Sequence, residues 1–266
     1  MAISLNDLRR TTATEPPRLC FYGPPGMGKT SLASEFPDAV FLQVEDGTPG
    51  DVELTTFGKL SSFGDVMDAI ATLYSEPHEF KTVVVDSITE LQRYVWEETC
   101  ARGDEKGNAK KQIEDFGYGK GYVYSLRVWQ EFLDGLLALR RERGMTIILI
   151  AHSTVERFDD PETVSYDRYE IDLHSKAVGM IERDMDGIFL MKTPIHIKTE
   201  ETGFNQKRNI AQGPTNSIVI HTIGRPAFLA KNRYGIPEKI EFKRGAGYAA
   251  LAPYFPGATA VAQAAE

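Results

Sequence analysis

A lysine carried on a glycine frame opens the chemistry of this chain. Residues 23–30 read Gly-Pro-Pro-Gly-Met-Gly-Lys-Thr and match the pattern G-x-x-x-x-G-K-[ST]. Glycines let backbone N–H groups turn inward and approach phosphate oxygens closely. The pattern assigns a phosphate cradle to Gly23, Pro24, Pro25, Gly26, Met27, Gly28, Lys29, Thr30 and Ser31. Lys29 is expected to reach the β- and γ-phosphates, and the Thr30 hydroxyl to ligate magnesium. A second group lies in Thr-Val-Val-Val-Asp-Ser at 82–87. An aspartate at the C-terminal end of a buried strand stands at the edge where open α/β sheets bind ligands. Asp86 is therefore the expected support of the same magnesium, through water. Together the two stretches point to a nucleoside triphosphate and Mg2+.

A third group is offered by Phe-Leu-Gln-Val-Glu-Asp-Gly at 41–47, which ends in the carboxylates Glu45 and Asp46. A carboxylate at this strand tip can orient water onto a γ-phosphate. The same two residues can equally cap a strand-to-loop turn. Ser87, directly after Asp86, cannot serve as a base.

These groups need a sheet to hold them. Short apolar runs at 18–23, 39–44, 81–87 and 145–153 read as strands, and the unbroken Val-Val-Val of the third suggests burial on both faces. Between them, apolar residues recur at helical spacing: Phe63, Val66, Ile70 and Leu73 in 62–74, and Leu126, Trp129, Phe132, Leu133, Leu136 and Leu137 in 124–143. Helices are expected at 30–36, 62–74, 88–100 and 124–143. Strands alternating with helices imply an α/β fold, a mostly parallel sheet with helices on both faces. After Ser153 the rhythm changes. A short helix near 174–184 and strands near 187–191, 217–223 and 227–231 suggest an antiparallel C-terminal extension. Residues 1–17 read as an arm or linker, 18–245 as the core, and 246–266 as an alanine-rich, frayed tail.

The bulk numbers fit this picture. With 266 residues, 42% hydrophobic and 26% charged, the chain has an ordinary globular composition and can bury a substantial core. Its formal net charge of -8 argues against a general DNA coat, so a nucleic-acid site must be a local patch. Two cysteines are too few for a disulfide framework and favour a reducing cytoplasm. Neither a signal-peptide core nor an apolar run of bilayer length is evident, so no membrane partner is expected. His174, His196 and His221 lack metal-ligand spacing.

The motif order resembles the RecA-like recombinase core. Glu45, at the end of the strand after the phosphate-loop helix, matches that family's glutamate. In AAA+ and helicase-like enzymes a glutamate instead follows the aspartate directly, where this chain has Ser87. "IILIAHS" resembles the next core strand, whose terminal polar residue senses the γ-phosphate; RecA has glutamine there and this chain has His152. "AKNRYGIPEKIEF" at 230–242 resembles the segment whose paired cations reach a neighbouring subunit's nucleotide, which would make Lys231 and Arg233 those cations. The resemblance covers roughly residues 18–243 and is nearest to the short Sak-type ATP-binding recombination proteins of bacteriophages. It implies ATP and Mg2+ as cofactors, a DNA-stimulated ATPase with Lys29, Glu45, Asp86, His152, Lys231 and Arg233 at its centre, and nucleotide bound between subunits of a ring or filament. Single-stranded DNA, self and a phage single-strand binding protein are the implied partners, in the cytoplasm of a bacterial host.

Two segments correspond to the family's DNA-facing loops. The first is 101–124, of which 103–121 is glycine- and lysine-rich and expected to be mobile. It interleaves Arg102, Lys106, Lys110, Lys111 and Lys120 with Phe116, Tyr118, Tyr122 and Tyr124, as backbone tracking and base stacking require. Asp104, Glu105, Glu114 and Asp115 weigh against it, leaving a solvated surface loop as the other reading. The second, 154–176, is more acidic; Arg157, Arg168 and Lys176 are its candidates. The polar stretch 202–214, with Lys207 and Arg208, reads as a plain hairpin in preference to a contact with DNA or a neighbouring subunit. A helicase motor or loader, and a nucleotide-gated interaction protein with negligible hydrolysis, are the alternative functions.

Overall fold

The structure, a computed structural model, describes residues 15–47, 50, 52–194, 196–201, 207–212 and 217–256. The core is a twisted sheet whose central strands run parallel. β1 (Arg18–Tyr22) lies between β5 (Thr146–Ala151) and β8 (Gly187–Lys192), and the sheet continues from β5 through β4 (Thr82–Asp86) and β2 (Ala39–Gln43) to β3 (Thr55–Lys59) at one edge. Every pairing in that block is parallel. Beyond β8 the direction reverses: β11 (Ile218–His221) and the short β12 (Lys231–Asn232) both pair antiparallel with β8, and β13 (Lys239–Phe242) closes the far edge against β11. The α/β architecture with an antiparallel extension is thus the one read from the sequence.

Two cores sandwich the sheet. On one face α2 (Phe63–Ser75), α3 (Ile88–Arg102), α4 (Lys120–Arg143) and α5 (Ser175–Asp184) bury Phe63, Leu91, Trp129, Phe132 and Ile181 against Tyr22, Val83 and Leu149. On the other, α1 (Lys29–Ser34) and α6 (Gly247–Leu251) bury Leu32, Phe36, Leu251 and Phe255 against Phe21, Val84 and Ile148. Alternating side chains of each strand feed opposite faces, which is why the buried parallel strands read as continuous apolar runs.

Several expectations change. The tail is not frayed from residue 246: α6 packs on the core, with Leu251 fully buried and Tyr248 and Phe255 both against the Phe36 ring. The Glu35 carboxylate fastens it further by accepting from the Gly245 and Tyr248 N–H groups at 2.6 and 2.9 Å. Alanine-rich composition hid these few anchors; residues 257–266 lie outside the described set. The acidic stretch after β5 is not a loop but a hairpin, β6 (Ser153–Phe158) against β7 (Tyr166–Ile171). Strand β3 is an addition to the expected strands. Around 202–214, β9 (His196–Glu201) and β10 (Lys207–Gln212) form an antiparallel pair, and 202–206 with 213–216 lie outside the described residues. Of the expected strand at 227–231, only single bridges at Phe228 and the start of β12 remain. The N-terminal arm is described only from Glu15.

Candidate active site

The register of the parallel strands brings the predicted groups to one edge. Gln43, Asp86 and Ile150 stand level on β2, β4 and β5. Glu45 and His152 each lie two residues beyond that line, and the 23–28 loop leaves β1 at the same C-terminal edge. The loop has the geometry its glycines imply. Gly26 and Gly28 sit at φ 78° and 72°, left-handed values that side chains rarely adopt. A Cβ on Gly28 would meet Phe242 Cε1 at 2.8 Å, and one on Gly23 would meet the Met191 carbonyl oxygen at 2.1 Å. The loop therefore runs against the Met191 carbonyl of β8 at one point and the Phe242 ring at another, with no room for side chains at either.

Three observations test its fit to a nucleotide and magnesium. The buried Lys29 donates from Nζ to the Gly23 and Pro24 carbonyls at 2.9 and 3.0 Å, so its ammonium lies over the loop. Burial pushes its pKa down, while Asp86 and Glu45 pull it back up. The Thr30 hydroxyl donates to Asp86 Oδ2 at 2.7 Å, which joins the two expected magnesium supports. Among the described residues Ser31 Oγ, which is buried, has no hydrogen-bond partner, an orphaned donor beside the loop that a phosphate oxygen would satisfy. The residues present fit both groups: Gly23–Ser31 would hold the phosphates, and Thr30 and Asp86 the metal. Burial raises the Asp86 carboxyl above the ordinary range, with the Thr30 hydrogen bond opposing it. Such a site favours a nearby cation.

Glu45 completes the cluster. Its carboxylate accepts from Ser87 Oγ at 3.0 Å and lies 3.3 Å from His152 Nε2. The His152 contact, with Ser87 and Lys29 in support and burial opposing, holds Glu45 below the usual carboxylate range. His152 is itself tied down, its backbone N–H donating to Thr89 Oγ1 at 3.0 Å. The other two nearby carboxylates are engaged elsewhere: Asp46 with Lys59, and Glu90 with Arg93 at 2.7 Å.

The sequence profile of the AAA domain family matches residues 15–234, which takes in the phosphate loop, Glu45, Asp86, His152 and the parallel strands that carry them. The chain belongs to that family. No curated protein matches it. As an AAA domain it is a P-loop nucleotide-binding ATPase, and among its described residues no helix is long and apolar enough to cross a membrane.

Not every predicted residue of the AAA domain joins this cluster. Lys231 and Arg233 stand at the opposite edge of the sheet. Lys231 and Asn232 pair with Ile188 and Gly187 at the start of β8. Lys231 Nζ donates to the Glu182 and Arg183 carbonyls at the end of α5, and Arg233 Nη1 pairs with Asp186 Oδ1 at 3.1 Å. From Arg18, their neighbour, to Gly23 is roughly 16 Å of strand at about 3.3 Å per residue. The cations thus lie a whole strand length from their own phosphate loop.

The candidate DNA residues divide as well. In 103–119 the acids serve the loop itself. Asp104 accepts from the Lys106 and Asn108 N–H groups and from Lys110 Nζ at 3.0 Å; Asp115 accepts from the Lys111 and Gln112 N–H groups. Glu114 and Glu105 accept from the Tyr122 and Tyr124 hydroxyls at 2.8 and 3.0 Å. Lys110 is thereby committed, whereas Lys106, Lys111 and Lys120 are exposed. Of the aromatics, Phe116 packs edge-on to Tyr124 and Tyr122 stacks on His174, but Tyr118 is fully exposed. On the hairpin Arg157 is exposed beside Asp159, while Arg168 lies 3.9 Å over the Phe158 ring and pairs with Glu170.

Sequence reasoning missed Ser87, Thr89 and Asp186. Ser87 was weighed only as a base. It caps α3, accepting from the Glu90 N–H at 3.4 Å, and it orients Glu45. The Ser-x-x-Glu spacing of 87–90 was a readable sign of that cap. Asp186 had no sequence signal, because its partners Arg18, Arg140 and Arg233 are scattered along the chain.

Proposed function

We propose that this AAA domain is a RecA-like ATPase that hydrolyses ATP between subunits and acts on single-stranded DNA, in the manner of the short phage recombination and annealing proteins. The observation that carries the reading is the placement of Lys231 and Arg233. They sit at the sheet edge opposite the phosphate loop, and Arg233 is 52% exposed. Too far from their own nucleotide, they are placed to serve that of a second copy docked head to tail.

Within one subunit, the loop amides and Lys29 bind the β- and γ-phosphates once Nζ leaves the Gly23 and Pro24 carbonyls. Thr30 and Asp86 hold magnesium, which when bound neutralises charge on the phosphates. Glu45, kept ionised by His152 and Ser87, accepts a hydrogen bond from water and aims its oxygen at the γ-phosphorus. His152 links that carboxylate to the end of β5 and so to the β6–β7 hairpin that follows. Arg233 of the neighbour meets the charge that develops as the phosphoryl group transfers. For DNA, the support is the internal use of the acids in 103–119, which leaves Lys106, Lys111, Lys120 and the Tyr118 ring facing solvent.

The test is ATP hydrolysis and binding by Arg233→Ala, with and without single-stranded DNA. Retained ATP binding with hydrolysis lost, and a parent activity that rises with protein concentration and with DNA, are expected. Hydrolysis by the variant at the parent rate refutes the shared site. A strand-annealing assay run beside an unwinding assay separates annealing from a helicase role.

A further inference from the structure

Three guanidiniums converge on one carboxylate at the edge of the sheet far from the phosphate loop. Asp186, in the turn between α5 and β8, is 5% exposed. Arg18 holds it in fork fashion, Nε to Oδ2 at 3.1 Å and Nη2 to Oδ1 at 2.9 Å, and the Arg18 N–H donates to Oδ2 at 3.3 Å. Arg140 Nη2 approaches Oδ2 at 3.4 Å, and Arg233 Nη1 approaches Oδ1 at 3.1 Å. The main chains are joined too: the Asp186 N–H donates to the Arg18 carbonyl at 2.8 Å, and the Arg233 N–H to the Asp186 carbonyl at 3.2 Å. Burial alone would raise the Asp186 carboxyl, but the hydrogen bonds and charges of Arg18 and Arg140 hold it below the ordinary range.

The three arginines are not equivalent. Arg18 and Arg140 are 18% and 11% exposed, and Arg140 is pinned further by the Pro16 carbonyl at 2.6 Å. They belong to the frame. Arg233 gives Asp186 a single nitrogen and is half in solvent; among the described residues its Nε and Nη2 meet no acceptor. The turn beyond it is set by Asn232, whose Oδ1 accepts from the Tyr234 N–H at 3.1 Å and whose Nδ2 donates to the Ile236 carbonyl at 2.7 Å. A fork tethered at one prong to an immobile carboxylate, with the others free, is a pre-oriented phosphate ligand.

We propose that Asp186 is the positioning residue of the shared ATPase site: fixed by Arg18 and Arg140, it directs the free prongs of Arg233 toward the nucleotide of the next subunit. This rests on the head-to-tail reading above. A guanidinium released from that tether still carries its charge but samples many rotamers, so what is lost is orientation at the transition state.

The experiment is a double-mutant cycle of Asp186→Asn and Arg233→Ala, read by single-turnover ATP hydrolysis, KM for ATP and thermal melting. Asp186→Asn should lower the hydrolysis rate about tenfold to hundredfold with KM little changed. In the slow residual hydrolysis of the Arg233→Ala background, followed under single-turnover conditions, the same change should cost nothing more. An equal further loss there, or a parent rate in Asp186→Asn alone, overturns the proposal. A parent rate in Arg233→Ala alone overturns the shared site itself, whatever Asp186 does. Because Asn leaves three arginines facing a neutral amide, Asp186→Glu is made in parallel. It keeps the charge while displacing the carboxylate, thermal melting reports whether the site still folds, and a lowered rate that vanishes in the Arg233→Ala background supports positioning. An unchanged rate in Asp186→Glu overturns it.

Discussion

Glu45→Gln isolates the step that separates binding from turnover. The substitution keeps the shape of the side chain and its capacity to accept from Ser87 Oγ, now 3.0 Å away. It removes only the charge and the basicity. Because Glu45 is neither deeply buried nor part of the sheet, the melting temperature should stay near the parent value. Lys29 loses one of the two carboxylates that attract it, so ATP should bind at least as well. Loss of a positioned base lowers turnover by about 10²–10⁴-fold, or roughly 3–5 kcal/mol at the transition state. Single-turnover hydrolysis with enzyme in excess, beside a fluorescent-nucleotide titration, reads both quantities. Turnover within a few-fold of the parent would falsify the assignment and make Glu45 a turn cap. The pH dependence carries a second check. His152 depresses the folded pKa of Glu45, so the stabilisation from this contact is complete above the unfolded value of about 4.3 and is lost as pH falls through the folded one. Glu45 should therefore contribute no loss of activity between neutral pH and about 5.

Two further substitutions test other parts of the chain. Leu251→Ala empties a fully buried site between α6 and α1 and should lower unfolding stability by about 2–4 kcal/mol, visible as a fall in Tm of roughly 5–15 °C; an unchanged Tm would mean that α6 is not part of the core. Tyr118→Ala removes a ring that touches nothing, so folding and DNA-free ATPase should be unaffected while single-stranded DNA binding weakens by about 1–3 kcal/mol. Fluorescence anisotropy with a labelled oligonucleotide measures this, and equal affinity in both proteins would remove Tyr118 from the DNA surface.

The sequence was most legible where one rule governed several residues at once. Glu45, Asp86 and His152 could be placed because each follows a buried apolar strand, and in a parallel sheet all such ends meet at one edge. Strand β3 was invisible because its residues, Thr-Thr-Phe-Gly-Lys, all face solvent at an edge and show no alternation. The β6–β7 hairpin was read as loop for a related reason: its charged residues sit on a two-stranded ribbon outside the main sheet, where neither side must be apolar. Alanines concealed α6, whose attachment depends on a few scattered anchors: Tyr248, Leu251 and Phe255 in the core, and the Glu35 carboxylate on the Gly245 and Tyr248 N–H groups. The Asp186 cluster is a fact of topology. Arg18, Arg140 and Arg233 meet only because β1 begins at the corner where α4 and β12 end.

On the proposed head-to-tail reading, the placement of loop and cation at opposite edges of one sheet gives the assembly a direction. An open row of subunits would end with one loop that no arginine reaches and one arginine that reaches no loop. Its shortest form, a pair, has a single complete site, whereas closure into a ring leaves none idle. Activity per chain would then report length and closure directly, and the two tips of a growing row would differ chemically: one offers an unfinished nucleotide site, the other the group that finishes it.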